Sequence, residues 1–304
     1  MKNRMFKKFL MATSLFASSH IVAADTVPAL LVIAPNGQRS ILIGSFHRPH
    51  LSLKQPEHSL LDRKKRLVIE HAENDGTPTG DPKDLWAPEV LDKRSIFANW
   101  ALQFTPNDVK QLTNNAQCIH TPIKPAELAM ASLLMKTPTL AREIAWTQCN
   151  DELLNMKSRD AIFFDEAKRL NLPIEVLEST NEIKTQRNQI TESTEVHSIK
   201  LGLSVQRDKY LQDTVEAINA GDYEKVRLLA LSTFRSKAES HHFDKVMLQE
   251  RNVLWLPRLK TYLDQGDAVV AVGAAHLGGQ YGLIKLLNKA GYKAEPIQVK
   301  AMAN

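Results

Sequence analysis

An unbroken apolar run, Ala268 to Val272, ends on Gly273, and His276 follows three residues later. A run this short, rich in valine and bounded by glycines, reads as a strand buried on both faces. Gly273 lets the backbone turn, or approach something closely, where the strand stops. The chain so delivers an imidazole to the end of a buried strand, which is where open α/β sheets place their ligands. The N-terminal half repeats the device in Ile41-Leu42-Ile43-Gly44-Ser45-Phe46-His47. Two strand-Gly-x-x-His segments lie at opposite ends of one chain, and that doubling is its most informative feature.

Around these segments strands and helices alternate, which argues for α/β. Pro28 to Ala34 and Arg39 to Phe46 are apolar with Asn36-Gly37 between them, a hairpin pattern. Arg66 to His71 reads as a further strand with Glu70 at its apolar end, and Ile174 to Leu177 as a short one. Thr105 before Pro106, Pro125, Ser158, and the Ser179 to Glu182 capping box each open a helix. Glu73 to Pro88 is polar and turn-rich, hence a surface loop. In the helix from about Phe243 to Leu263, helical spacing aligns Phe243, Met247, Glu250, Leu254 and Pro257, so Glu250 interrupts an apolar stripe and Pro257 should kink the helix. The expectation is a mixed central sheet flanked by helices. A large helical middle segment, roughly 105–265, caps the site within a single domain over 25–304.

The first residues stand apart. Lys2, Arg4, Lys7 and Lys8 precede an apolar stretch, Phe9 to Ala17, and Val22-Ala23-Ala24 supplies small residues before Asp25. This reads as a secretory leader over residues 1–24, so the chain is expected to be exported, periplasmic or secreted. Without the leader's basic residues the formal charge of +5 falls to +1, which removes any electrostatic case for nucleic acid. No later segment approaches the length of a membrane span. Cys118 and Cys149 are the two cysteines. An even pair in an oxidising compartment points to a disulfide, the alternative being two buried free thiols.

His47, Glu70 and His276 each close a buried strand. If those strands are neighbours, two imidazoles and a carboxylate meet at one sheet edge, a donor set suited to a divalent transition metal with open positions. Such an ion would support hydrolysis at neutral pH. Arg251 would stabilise an oxyanion, with Glu250 orienting it or handling protons. Against this, a single Gly-x-x-His is more often a turn with an incidental histidine. Glu250 and Arg251 could equally be a buried ion pair fastening their helix to the sheet. Glu178 reads as a strand-end residue, and His71, His241 and His242 as solvated or core-edge histidines.

Taken together, the residues resemble the TraB/GumN/Tiki family, whose pattern is two Gly-x-x-His motifs and a strand glutamate. The matching positions are Gly44 and His47, Glu70, and Gly273 and His276. Arg159-Asp160 through Leu177-Glu178-Ser179-Thr180 is similar to that family's GLD…LET segment, and Glu250-Arg251-Asn252 to its ERN helix. The chain departs from the family at Ser45-Phe46, Arg159 and Pro257. The resemblance implies an erythromycin-esterase/ChaN-like α/β fold and metalloprotease activity on peptides or proteins, with manganese or cobalt before zinc. Related folds also include a haem binder and metal-independent esterases. The alternatives are therefore a protein that sequesters a peptide or haem, and an esterase that uses a histidine as general base.

Overall fold

The computed structural model describes residues 25–71, 98–154 and 156–302. The leader, the Glu73 to Pro88 stretch and Trp86 lie outside the described residues. Strands β1 (Thr26–Ile33) and β2 (Arg39–Ser45) form the expected antiparallel hairpin, with Gly37 turning at a φ of 85°. The remaining strands are β3 (Arg66–Ile69), β4 (Ile174–Val176), β5 (Ala268–Gly273) and β6 (Lys293–Lys300). They make one mixed sheet in the order β4-β3-β5-β2-β1-β6.

The apolar run at 268–272 becomes β5, buried throughout, and it lies between β2 and β3, parallel to both. Its residues alternate between two cores. Val270 and Val272 face a cluster with Trp255, Leu259, Leu263 and Leu287, whereas Val269 and Ala271 face one with Phe163 and Ala167. Helices on both faces are what an unbroken apolar strand requires. Burying each valine contributes roughly 1.5–3 kcal/mol.

The helix starts follow their caps. Thr105 and Asp108 form a capping box ahead of Pro106–Ala116, Ser158 caps Arg159–Arg169, and Ser179 with Glu182 boxes Thr180–Arg187. Much of the helical middle segment packs on its own core, around Trp100, Leu112, Leu128, Ile144 and Ile199. Cys118 and Cys149 are bridged beside it. Among the described residues no helix is long and apolar enough to cross a membrane.

One face differs from the expected stripe. A π-helical turn, Asp244–Glu250, leads into the α-helix Arg251–Gln265, which continues through Pro257. Wider i→i+5 winding shifts the inward face. Met247, Arg251, Trp255, Leu259 and Leu263 are buried, while Leu254 is half exposed. Regular 3.6-residue spacing had put Glu250 inside; the π turn turns it outward and brings Arg251 in.

Candidate functional site

Register explains the convergence. Ser45 pairs with Gly273 across β2 and β5, and Ile69 pairs with Ala271 across β3 and β5. Three parallel neighbours, spaced about 4.8 Å apart, therefore end at one edge. Just beyond those ends, Glu70 Oε1 lies 3.6 Å from His47 Nε2 and 3.9 Å from His276 Nε2. Two donors each about 2.1 Å from one ion can be no more than about 4.2 Å apart, a condition that Glu70 Oε1 meets with each imidazole taken singly.

Gly273 supplies the space between them. A Cβ there would meet Glu70 Oε1 at 3.0 Å, His47 Nε2 at 3.1 Å and His276 Cδ2 at 3.5 Å. Its φ of −51° suits any residue, so glycine is needed for room rather than for backbone freedom. Gly44 has a different reason: a Cβ would strike Tyr223 Cε1 at 2.7 Å, so this glycine admits a packed ring.

Both imidazoles are held from behind. Asn252 Nδ2 donates to the carbonyls of His276 and Tyr281, which leaves Asn252 Oδ1 to accept from His276 Nδ1 at 2.7 Å. The neutral ring is thereby turned with an unprotonated Nε2 toward Glu70. Burial pushes the His276 pKa down to about 3. His47 is half exposed, and its Nδ1 lies 3.1 Å from Asp160 Oδ2. The Asp160 charge raises the His47 pKa well above its usual value, against the effect of burial.

Glu70 is buried and fully engaged. Oε1 accepts from the Gly273 N–H at 2.6 Å, and Oε2 accepts from Arg251 Nη2 at 2.9 Å. Burial alone would raise its pKa, but His276, His47 and Arg251 outweigh it and hold the carboxyl well below the usual range. Arg251 donates to both oxygens of Glu178, from Nη2 at 2.6 Å and Nε at 3.1 Å. Trp255 Nε1 donates to Glu178 as well, and its ring lies against both the Arg251 guanidinium and, tilted, the His276 ring.

The buried ion pair of Arg251 is therefore made with Glu70 and Glu178 rather than with Glu250. Glu250 stays outside, 3.9 Å from Lys245, in the wall of a cleft of about 450 Å³ shared with Val253, Leu254 and Tyr281. Arg251 Nη1 donates to the Met247 carbonyl and to His276 Nε2, each at 3.2 Å, so the guanidinium is placed to hold Glu70, Glu178 and the His276 ring in position. Removing one member of such a buried network costs about 3–5 kcal/mol, because it strands the partner's charge.

Glu70, His71 and Glu178 have ligand atoms within 4.8 Å of one another and could also hold a metal ion. His71 sits at the edge of the core, with a buried Nδ1 that makes no hydrogen bond among the described residues, 3.7 Å from Glu178. Arg251 Nη2 already bridges Glu70 and Glu178, however, so a guanidinium holds the cation position on that side. The other side of Glu70 is bounded by His47, His276 and Gly273. His241 and His242 lie on the helix Lys237–Phe243, which has no buried residue, with His242 Nε2 2.9 Å from the Gln189 carbonyl.

Asp160 is the site residue that spacing did not single out. It lies more than a hundred residues from His47, and what marks it in the sequence is its place just after the helix cap Ser158 and in the segment that resembles the family's GLD motif. No curated protein and no solved structure matches the chain. The model of the TraB/PrgY/gumN family does match, over residues 29–296, with the paired histidine motifs inside that span. The chain belongs to the TraB/PrgY/gumN family.

Proposed function

We propose that the protein is a metal-dependent hydrolase acting on exported or extracellular peptides or proteins. The carrying observation is the Gly273 floor, around which His47 Nε2, Glu70 Oε1 and His276 converge. His47, Glu70 and His276 would hold a divalent transition metal, manganese or cobalt before zinc, with Glu70 Oε1 turned between the two rings. Such an ion supplies Lewis acidity, lowering the pKa of water and polarising a carbonyl.

The chain's own groups prepare that chemistry. Asn252 and Asp160 orient the two imidazoles, and Arg251 keeps Glu70 ionised and aimed. Family membership supports the peptide substrate, and the Cys118–Cys149 bridge fits an oxidising compartment. A second reading rests on the Asp160–His47 contact, which would suit a histidine general base working without metal.

The test is cleavage of a library of short and unfolded peptides by the purified protein. Activity lost to chelator and restored by manganese or cobalt supports the proposal. Cleavage that survives chelator favours His47 as base. A metal-replete protein that leaves every peptide intact, yet binds one of them or haem tightly, is a sequestering protein.

A further inference from the structure

The two histidine motifs share a geometry but differ in chemistry. In each, Nδ1 is engaged from behind and Nε2 is turned toward Glu70 Oε1. For His276 the engaging group is a neutral amide, Asn252, itself oriented by two backbone carbonyls. For His47 it is a carboxylate, Asp160.

Asp160 is held firmly enough to impose an orientation. Ser45 Oγ donates to the same oxygen, Oδ2, at 2.5 Å. Asp160 sits in the first turn of Arg159–Arg169, where the helix N-terminus favours a negative charge. Its neighbour Arg159 is buried and hydrogen-bonds the carbonyls of Gly44 and Lys54. Helix start, strand end and ring are thus tied at consecutive residues.

We infer that Asp160 is a positioning residue, fixing His47 as the Nδ1–H tautomer so that an unprotonated Nε2 faces the Gly273 floor. A carboxylate behind a metal-binding imidazole also makes the ring a stronger donor. His47 then becomes the more electron-rich of the two imidazoles, and His276 the weaker one behind its amide. This inference rests on the metal reading of the site for its consequence, but not for its geometry.

Two measurements on the full chain separate those parts. Long-range ¹H–¹⁵N spectra of the metal-free protein, taken where His47 is neutral, read the tautomer directly. Calorimetric titration with Mn²⁺ reads affinity in wild type, Asp160→Asn and Asp160→Ala. The inference expects an Nδ1–H ring in wild type and a loss of that tautomer preference in Asp160→Ala. It also expects Mn²⁺ binding weaker by roughly 10–100-fold in both variants. Circular dichroism should show the fold retained; if Asp160→Ala does not fold, the near-isosteric Asp160→Asn carries the affinity comparison.

A wild-type ring protonated at Nε2 overturns the inference, as does wild-type Mn²⁺ affinity in the folded variants. If wild type binds no Mn²⁺, the metal reading falls. The tautomer then decides the role of Asp160 alone: Nδ1–H in wild type, lost in Asp160→Ala, upholds it, and any other result rejects it.

Discussion

Gly44 and Gly273 occupy equivalent places in their motifs, yet they do different work. At Gly273 the missing side chain is the space between three polar groups, and its φ of −51° would accept alanine. Gly273→Ala should therefore fold with thermal stability near wild type, while Mn²⁺ binding, measured calorimetrically, falls by about tenfold or more, equivalent to about 1.4 kcal/mol. At Gly44 a Cβ would collide with the packed ring of Tyr223 and press on Ala274 at 3.1 Å. Gly44→Ala should show the reverse pattern, losing about 1–3 kcal/mol of stability in urea denaturation from overpacking. Equal effects of the two variants on binding would mean that Gly273 is not the floor of the site.

Among the elements, the helical segment carrying the disulfide is separable from the sheet edge. Cys118 follows the helix Pro106–Ala116, and Cys149 follows the helix Thr139–Trp146. Their bridge closes a sequence separation of 31 residues beside a core that contains none of the site residues. Restricting the unfolded chain over such a loop stabilises by roughly 3–4 kcal/mol. Cys118→Ser with Cys149→Ser should lose about that much in urea denaturation but keep Mn²⁺ affinity, since distant changes add independently. The π turn at Asp244–Glu250 works the other way, because it sets which residue of the following helix meets the sheet. Its buried Asp244, paired with Arg227, holds the turn against the neighbouring helix.

For the whole molecule, the buried site makes folding sensitive to acid. His276 titrates near 3 when folded and near 6.5 when unfolded, so the unfolded chain takes up the proton first. The stability linked to this ring is complete above about pH 6.5. It falls as the pH drops toward 3, at up to about 1.4 kcal/mol per unit. Glu70, Arg251, His47 and Asn252 all face the ring, and the Glu70 carboxylate opposes part of the effect. In metal-free protein, urea denaturation at pH 6.5 and pH 4.5 should show a smaller acid loss for His276→Asn than for wild type. Equal losses would mean that another group governs acid sensitivity.

Much of this was legible in one dimension, because local chemistry decides it. The valine-rich run had to be a doubly covered strand, Asn36-Gly37 a hairpin turn, and Thr105, Ser158 and Ser179 helix caps. Each depends on neighbours a few residues away. His47, Glu70 and His276 could likewise be picked out as strand-end residues. What the sequence could not decide was adjacency. The placement of β5 between β2 and β3 joins residues more than 200 positions apart, and it is set by which apolar faces cover one another. Tertiary packing also chose Arg251 over Glu250 for the interior, through a π turn that regular helical spacing conceals. It chose Asp160 as the partner of His47, since a hydrogen bond across 113 residues leaves no periodic trace in the chain.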